Sequence, residues 1–206
     1  MAGEFSPSVL LQHVLQLVLS QQHQGRNTAF TAAGAAELDR LACFRILERA
    51  GCPDLALQEM DSYPDALTFG LVGAVAAELG LPVPDVLRLF GRTWITYTSD
   101  RGFGRIIAGS GDSFGAFLGG LDAMHERVTR TFRAMEPPRM VLRSSDGGRF
   151  VLEYHSRREG LEMMVVGLLE GLAERFGLEA EITSATEEAC LVFTIRTRPA
   201  AARQSA

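Results

Sequence analysis

The sequence predicts an α+β fold, in which a helical N-terminal half is followed by a C-terminal ββαββ half with an antiparallel sheet. Apolar residues recur at helical spacing over most of the first two thirds of the chain. After Pro137 and Pro138 the pattern changes to short apolar runs separated by turn residues. The length of 206 residues and the 47% of hydrophobic residues suffice for one domain with a large core.

Helices in the first half are predicted from periodicity together with residues that begin or end helices. Ser8 is placed as an N-cap, as is Asp65, and either Asp112 or Ser113 caps the last and longest helix. Gly51 ends one helix, because glycine readily adopts the left-handed conformation that follows a helix. The predicted helices cover residues 8–22, 35–50, 65–79, about 84–95 and about 113–132.

The pattern of the C-terminal half predicts a hairpin, a helix and two further strands. Asp146-Gly147-Gly148 separates two apolar runs, and Asp-Gly between such runs is a strong hairpin signal. An amphipathic helix is predicted for 161–176, and strands are predicted for 179–184 and 189–196. We therefore predict one domain at 8–198, with a helical half at about 8–135, a ββαββ half at about 136–198 and a flexible tail at 199–206.

Composition excludes several functional classes. All 20 basic residues are arginines, the acidic residues number 25, and the net charge of −5 argues against a nucleic-acid partner. Cys43, Cys52 and Cys190 form no disulfide framework and no zinc-binding spacing. Cys190, in a predicted strand, is either a small buried hydrophobe or a redox-active thiol if exposed. No phosphate loop or nucleophile elbow is legible, so we do not expect an enzyme.

The apolar stretch near the N-terminus does not predict membrane association. Gln12, His13 and Gln16 interrupt it, and no positive charge precedes it. It is therefore neither a signal peptide nor a membrane span, and we expect a cytoplasmic protein with reduced cysteines.

A histidine lies in the apolar face of the longest predicted helix. A histidine in a buried stripe must satisfy both ring nitrogens, either through hydrogen bonds to the backbone or as an axial ligand of haem iron. The stripe alone leaves both alternatives open. Its members, at spacings of four and three, are Phe114, Leu118, Leu121, His125, Val128 and Phe132.

A second group of polar side chains follows the first hairpin. Tyr154, Ser156 and Arg158 alternate, so in an extended segment they share one face. A phenol, a hydroxyl and a guanidinium could together bind a pair of carboxylates, such as haem propionates. The alternative is a solvated strand end with an incidental arginine.

Together these residues resemble the haem-nitric oxide/oxygen binding (H-NOX) family, which includes the haem domain of soluble guanylate cyclase. The likeness covers about Tyr63 to Ile195 and is looser before it. It rests on Tyr63-Pro64-Asp65, Leu71-Val72-Gly73-Ala74, Leu89-Phe90-Gly91-Arg92, Leu121-Asp122-Ala123-Met124-His125, Pro137-Pro138 and Tyr154-x-Ser156-x-Arg158 followed by Glu159-Gly160-Leu161.

The resemblance implies a haem b cofactor between the helical half and the ββαββ half. It implies that His125 is the proximal iron ligand and that Pro138 presses on the macrocycle. It also implies that the propionates are held by Tyr154, Ser156 and Arg158.

The same resemblance places Leu11, Leu15, Trp94, Leu121 and Met164 around the haem. Oxygen-binding members have a tyrosine at the position of Met164, and a thioether cannot donate a hydrogen bond to bound oxygen. We therefore predict binding of nitric oxide and carbon monoxide, with weak or no oxygen binding. The Trp94 indole N–H is a possible donor or merely fills space, and Met164 could instead ligate iron.

Family members of this kind signal to a separate protein. The resemblance implies a histidine kinase or a cyclic-di-nucleotide enzyme as the partner. The main alternative is a haem-free protein-interaction domain of the same fold, in which His125 is an ordinary core residue. Haem storage or transfer is a further alternative.

Overall fold

The structure is a computed structural model that describes residues 44–52, 65–100, 111–131, 137–188 and 190–201. The helix predicted at 8–22, with Leu11 and Leu15, lies outside these ranges. The chain divides into two compact units, Met1–Phe90 with Ala134–Glu136, and Gly91–Arg133 with Pro137–Ala206. The extent of one domain at 8–198, its halves and its tail stay predictions.

All regular secondary structure in the described part of the first unit is helical. A helical segment at 44–49 ends at Gly51, whose φ is 74°, as predicted for this stop. Helix α1 spans Asp65–Leu79, and helix α2 spans Val83–Asp100 and begins in this unit. The Arg45 Nε donates to a Glu78 carboxylate oxygen at 2.8 Å, which ties the 44–49 segment to α1.

The second unit contains the predicted ββαββ arrangement, preceded by one long helix. The Ser113 hydroxyl accepts the Ala116 N–H at 3.2 Å and caps that helix, as one of the two predicted caps. The sheet is antiparallel with strand order β1-β2-β4-β3. The elements are α3 (Phe114–Thr131), β1 (Arg139–Asp146), β2 (Arg149–His155), α4 (Glu162–Arg175), β3 (Leu178–Glu187) and β4 (Cys190–Pro199).

The β1–β2 hairpin closes through two glycines. Asp146 pairs with Arg149, so the connecting loop consists of Gly147 and Gly148 alone. Their φ values of 53° and 81° are both positive, as the tight two-residue turn that matches strand twist requires. The predicted hairpin is confirmed, with Asp146 as the last strand residue rather than as part of the loop.

One face of the sheet packs into the hydrophobic core of this unit. Leu152 and Phe193 are fully buried there, together with Leu118 of α3 and Leu169 of α4. The Phe114 and Phe150 rings meet edge to face, with centroids 5.1 Å apart. Because side chains alternate along a strand, the neighbouring residues lie on the opposite surface of the sheet, here named the outer face.

Within the second unit, α2 and α4 approach each other at two glycines. A Cβ built on Gly91 would lie 2.1 Å from the Met164 carbonyl oxygen, and one on Gly171 would lie 2.6 Å from the Arg92 carbonyl oxygen. Both contacts are with backbone, which cannot rotate away as a side chain can. Only glycine permits this approach at either position.

The described helices differ from membrane spans in length or in apolar character. No single one of them is both long enough and apolar enough to cross a bilayer. Ala66–Leu79 and Val83–Ile95 meet the length and composition criteria only as a pair bent by 104°.

Candidate functional site

Helix α3 carries His125 at the end of its apolar stripe. Phe114, Leu118 and Leu121 are at most 7% exposed and lie in the core, as the predicted stripe requires. His125 is only half-buried, one turn beyond Leu121. The Val128 side chain and Phe132 lie outside the described part. The helix therefore passes from the core at its start to a partly open position at His125.

The His125 ring is oriented by the chain segment that leads into β1. Its Nδ1 lies 2.9 Å from the Pro138 carbonyl oxygen. A carbonyl only accepts, so Nδ1 carries the proton and donates it. In the neutral ring Nε2 then has the lone pair, the form in which histidine binds metals. Metal-ligating histidines commonly donate their second ring nitrogen to a backbone carbonyl in this way.

Asp122 holds the same segment one turn earlier on α3. Its Oδ1 accepts the backbone N–H of Met140 at 2.7 Å, and its Oδ2 lies 3.6 Å from the Arg139 Nε. One helix face thus donates to the Pro138 carbonyl and accepts from the Met140 amide. We name this arrangement the α3–β1 clamp. Asp122 lies three residues before His125, a helical spacing that places both on one face, although no role was predicted for it from the sequence.

Burial sets the protonation of His125. Desolvation lowers the pKa of the ring below 6.5, and the bond to the Pro138 carbonyl and the nearby Asp122 carboxylate offset this only in part. The ring is therefore neutral at pH 7. A neutral imidazole is the form that can bind iron.

An open cleft of about 690 Å³ lies beside the ring. Cofactor sites commonly occupy about 300–1,000 Å³, so the volume is in the range of a cofactor site. Of the predicted haem contacts, His125 and Pro138 line the cleft. Had the ring been packed on all sides by protein, haem ligation would have been excluded. The described residues that line the cleft are Asp122, His125, Glu126, Thr129, Arg130, Pro137, Pro138 and Arg139.

The predicted Tyr154, Ser156 and Arg158 group adopts a geometry different from an extended strand. Strand β2 ends at His155, and the Ser156 hydroxyl accepts the backbone N–H of Arg158 at 3.0 Å, which forms a turn. Alternation along a strand therefore does not align these three side chains. Tyr154 is buried with its ring 6.0 Å from that of Phe193. The Arg158 Nε is buried without a hydrogen bond among the described residues, while the residue takes part in other interactions.

The remaining predicted cofactor contacts are in the second unit where they are described. Met164 is 2% exposed on α4, and its carbonyl faces Gly91 of α2. Trp94 lies one turn after Gly91 and is half-buried. Leu121 belongs to the core of the unit, in the same cluster as Tyr154. Leu11 and Leu15 stay predictions.

A family model described as haem-NO-binding matches residues 28–184. Solved H-NOX structures share the fold. An H-NOX protein from S. oneidensis in the Fe(II)NO state aligns with a TM-score of 0.71 at 20% identity, over 92% of this chain and 98% of that one. The I5F mutant of H-NOX from T. tengcongensis aligns with a TM-score of 0.64 at 21% identity, over 79% and 89%.

The curated relatives are soluble guanylate cyclases. Soluble guanylate cyclase 89Db of Drosophila melanogaster is 26% identical over 132 residues, which is 64% of this chain and 20% of the relative. Soluble guanylate cyclase 89Da of the same organism is 29% identical over 129 residues, which is 62% and 19%. The chain thus spans about a fifth of the length of these relatives. The chain belongs to the haem-NO-binding, or H-NOX, family of haem-based gas-sensor domains.

Proposed function

We propose that this protein is a haem b sensor of nitric oxide, and of carbon monoxide, with His125 as the axial ligand. The observation that carries the proposal is the bond from His125 Nδ1 to the Pro138 carbonyl, which leaves Nε2 available beside a cleft of about 690 Å³. The bound haem would supply an iron atom able to bind a diatomic gas.

Different residues of the chain would hold different parts of the cofactor. Arg158, with the hydroxyls of Tyr154 and Ser156, would bind the propionates, because a guanidinium forms charge-assisted hydrogen bonds to carboxylates. Pro138 would press on the macrocycle, and its carbonyl also orients His125. Leu121 and Met164 would supply apolar contacts, with Leu11 and Leu15 as further predicted neighbours.

The choice of gas depends on the absence of a donor at Met164. Bound oxygen carries partial negative charge, and a buried donor stabilises such a group by about 1–3 kcal/mol. Met164 is buried and cannot donate, and Met163, Val165 and Val166 beside it lack donors as well. Trp94 is half-buried and could donate through its indole nitrogen. We therefore expect weak or no oxygen binding.

The α3–β1 clamp connects His125 to the sheet. A displaced His125 ring would carry the Pro138 carbonyl with it, while Asp122 holds the next residues through the Met140 amide. A change at the ring therefore reaches β1 without passing through a flexible loop. We propose a histidine kinase or a cyclic-di-nucleotide enzyme as the recipient of that signal, and a cytoplasmic location in keeping with sparse cysteines.

A haem-free interaction domain is the second candidate function. The Pro138 carbonyl already satisfies one ring nitrogen of His125 without any metal. In that case Nε2 would be bound by water in the cleft. Haem content after purification separates the two functions.

The test is absorption spectroscopy of the purified and reduced protein. We expect bound haem, a spectral shift on addition of nitric oxide or carbon monoxide, and no stable new species in air. Protein that takes up no haem would support the interaction domain. A stable oxygen complex would contradict the argument from Met164.

A further inference from the structure

Two arginines lie directly opposite each other on the outer face of the sheet. Arg149 begins β2, and its partner in the register of β2 and β4 is Arg196. Their chain neighbours Phe150 and Ile195 are core residues, so both arginines point to the outer face, where both are exposed. We name them the arginine pair. Like charges directly opposite on neighbouring strands destabilise a sheet, so the pair does not serve the stability of this one.

The hydrogen-bond pattern brings the two arginines as close as an antiparallel sheet allows. The Thr197 N–H donates to the Gly148 carbonyl oxygen at 2.8 Å, which makes these two residues a hydrogen-bonded pair. Such pairs alternate with non-hydrogen-bonded ones, so the arginine pair is of the second kind, with Cα atoms about 4.5 Å apart. The Thr197 hydroxyl donates to the same Gly148 oxygen at 3.1 Å. The backbone that carries the arginine pair is therefore firmly held.

The sheet itself does not neutralise the arginine pair. Asp146 lies opposite Arg149 on β1, and Glu181 lies opposite Arg196 on β3. In the part of the chain that the structure describes, neither arginine side chain nevertheless forms an ion pair or a hydrogen bond. The four residues form a row across the sheet that is negative at both ends and positive in the middle. Two adjacent positive charges are thus available to a negatively charged partner.

Other outward-facing arginines of the sheet differ from this pair. Arg143 donates to Glu153 and to Glu187. The Arg198 Nε donates to a Glu179 carboxylate oxygen at 2.8 Å. These arginines have carboxylate partners within the sheet, so the arginine pair is the part of the outer face with unused donors among the residues described.

A flat and uncharged strip adjoins the arginine pair. The next outward-facing residues are Val151 on β2 and Thr194 on β4, which lie opposite each other and are half-buried. Thr183 of β3 lies opposite Thr194 and is exposed. Short β-branched side chains make an even surface, on which an extended element of another protein can lie.

The spacing of the arginine pair matches that of side chains on a helix. Residues four positions apart on a helix have Cβ atoms about 5–6 Å apart, close to the separation of about 4.5 Å between the arginine Cα atoms. Two carboxylates at that helical spacing can therefore each meet one guanidinium. Guanidinium–carboxylate contacts are charge-assisted and often bidentate, which favours carboxylates as partners.

We propose that the arginine pair and the strip of Val151, Thr194 and Thr183 form a docking surface for a helix of a partner protein. That helix carries two carboxylates four residues apart, and each accepts hydrogen bonds from one guanidinium. The remainder of the helix covers the strip. Complementary charge fixes the orientation of the helix. The surface depends on neither His125 nor haem, so its failure would leave the proposed function unchanged.

Isothermal titration calorimetry of the full-length protein with a synthetic helical peptide tests the proposal. The probe is alanine-rich and carries two glutamates four residues apart. Two control peptides have glutamines at those positions, or glutamates only two residues apart, which keeps the charge but places the carboxylates on different faces. Both should bind at least about fivefold more weakly, because only the probe presents two carboxylates on one face. Equal binding of the three peptides would overturn the proposal.

Variants of the protein assign the binding to the arginine pair. Arg149→Gln and Arg196→Gln should each weaken binding of the probe at least about fivefold, because each removes one charge-assisted contact. Arg49→Gln is the matched control, since Arg49 is an exposed arginine of the first unit, and it should alter the affinity by less than about twofold. Unaltered affinity in the first two variants would contradict the proposal.

Two further readouts separate docking from other roles of the arginine pair. Arg149→Gln and Arg196→Gln should unfold in urea at no lower concentration than the unmodified chain, because neither side chain has a partner to lose within the described residues. A lower midpoint would show that the arginines stabilise the sheet, which would overturn the proposal. Displacement of the probe by an equal concentration of inorganic phosphate would identify a simple anion site instead and would overturn it as well.

Discussion

Two histidines of the second unit are oriented in opposite ways. His125 on α3 is half-buried and donates from Nδ1 to the neutral carbonyl of Pro138. His155 on β2 has a side chain that is 40% exposed, and its Nε2 lies against the Glu153 carboxylate. One ring is set by the backbone in a cleft, and the other by a charged side chain on the outer face of the sheet.

The difference teaches what each partner does for an imidazole. A backbone carbonyl selects the tautomer and orients the ring without adding charge, so Nε2 of His125 keeps its lone pair. A carboxylate instead accepts the Nε2–H of His155, so that nitrogen is occupied as a donor. The tautomer and the cleft therefore support the proposal that His125 binds haem iron, whereas the His155 ring pairs with Glu153.

The largest expected effect comes from removing one histidine at a time. His125→Ala should lower haem retention by at least about tenfold and change the reduced spectrum, because among the described residues that line the cleft His125 is the one imidazole. Added imidazole should restore the spectrum by filling the vacated position. His155→Ala is the matched control and should leave haem retention and spectrum intact. The reverse pattern would break the comparison.

A smaller effect is expected from the acidic half of the α3–β1 clamp. Asp122→Ala removes the acceptor of the Met140 N–H, and Met140 is only 8% exposed. An unsatisfied buried donor costs about 1–3 kcal/mol, measured as the free energy of unfolding in urea. Glu126→Ala, on the same helix but exposed, should change that value by less than about 0.5 kcal/mol. Equal effects would show that Asp122 does not hold β1.

The smallest effect concerns pH in the haem-free protein. Burial lowers the pKa of folded His125 below the 6.5 of the unfolded chain, so the unfolded state binds the proton first as pH falls. The contribution of neutral His125 to the free energy of unfolding is therefore fully present above pH 6.5 and declines as the pH falls below it. His125→Gln should show a shallower decline between the two pKa values, measured by urea unfolding across pH 5–8. Identical slopes would mean that the ring is solvated.

Local signals explain which parts of the fold could be predicted. Gly147 and Gly148 supply two adjacent positive φ angles, and Ser113 supplies a cap, so the hairpin and the start of α3 follow from a few neighbouring residues. The end of α2 was harder to predict. The sequence predicts an end near Ile95, because the β-branched and aromatic residues there have low helix preference. The helix nevertheless continues to Asp100.

The same distinction between local signals and long-range packing applies to the candidate site residues. His125 could be singled out as a candidate because helical spacing is visible in sequence, whereas its contact with Pro138, 13 residues later, depends on packing. The turn at Ser156 was missed because its hydroxyl competes with strand geometry for the Arg158 amide.

The glycine contacts between α2 and α4 have a mechanical consequence. Where helices meet through side chains, small displacements are absorbed as rotamers readjust. At Gly91 and Gly171 no side chain can readjust in this way, because each glycine lies directly against a backbone carbonyl of the other helix. The C-terminal part of α2 should therefore move together with α4 as one rigid body. A methyl group added at either glycine would force the two helices apart.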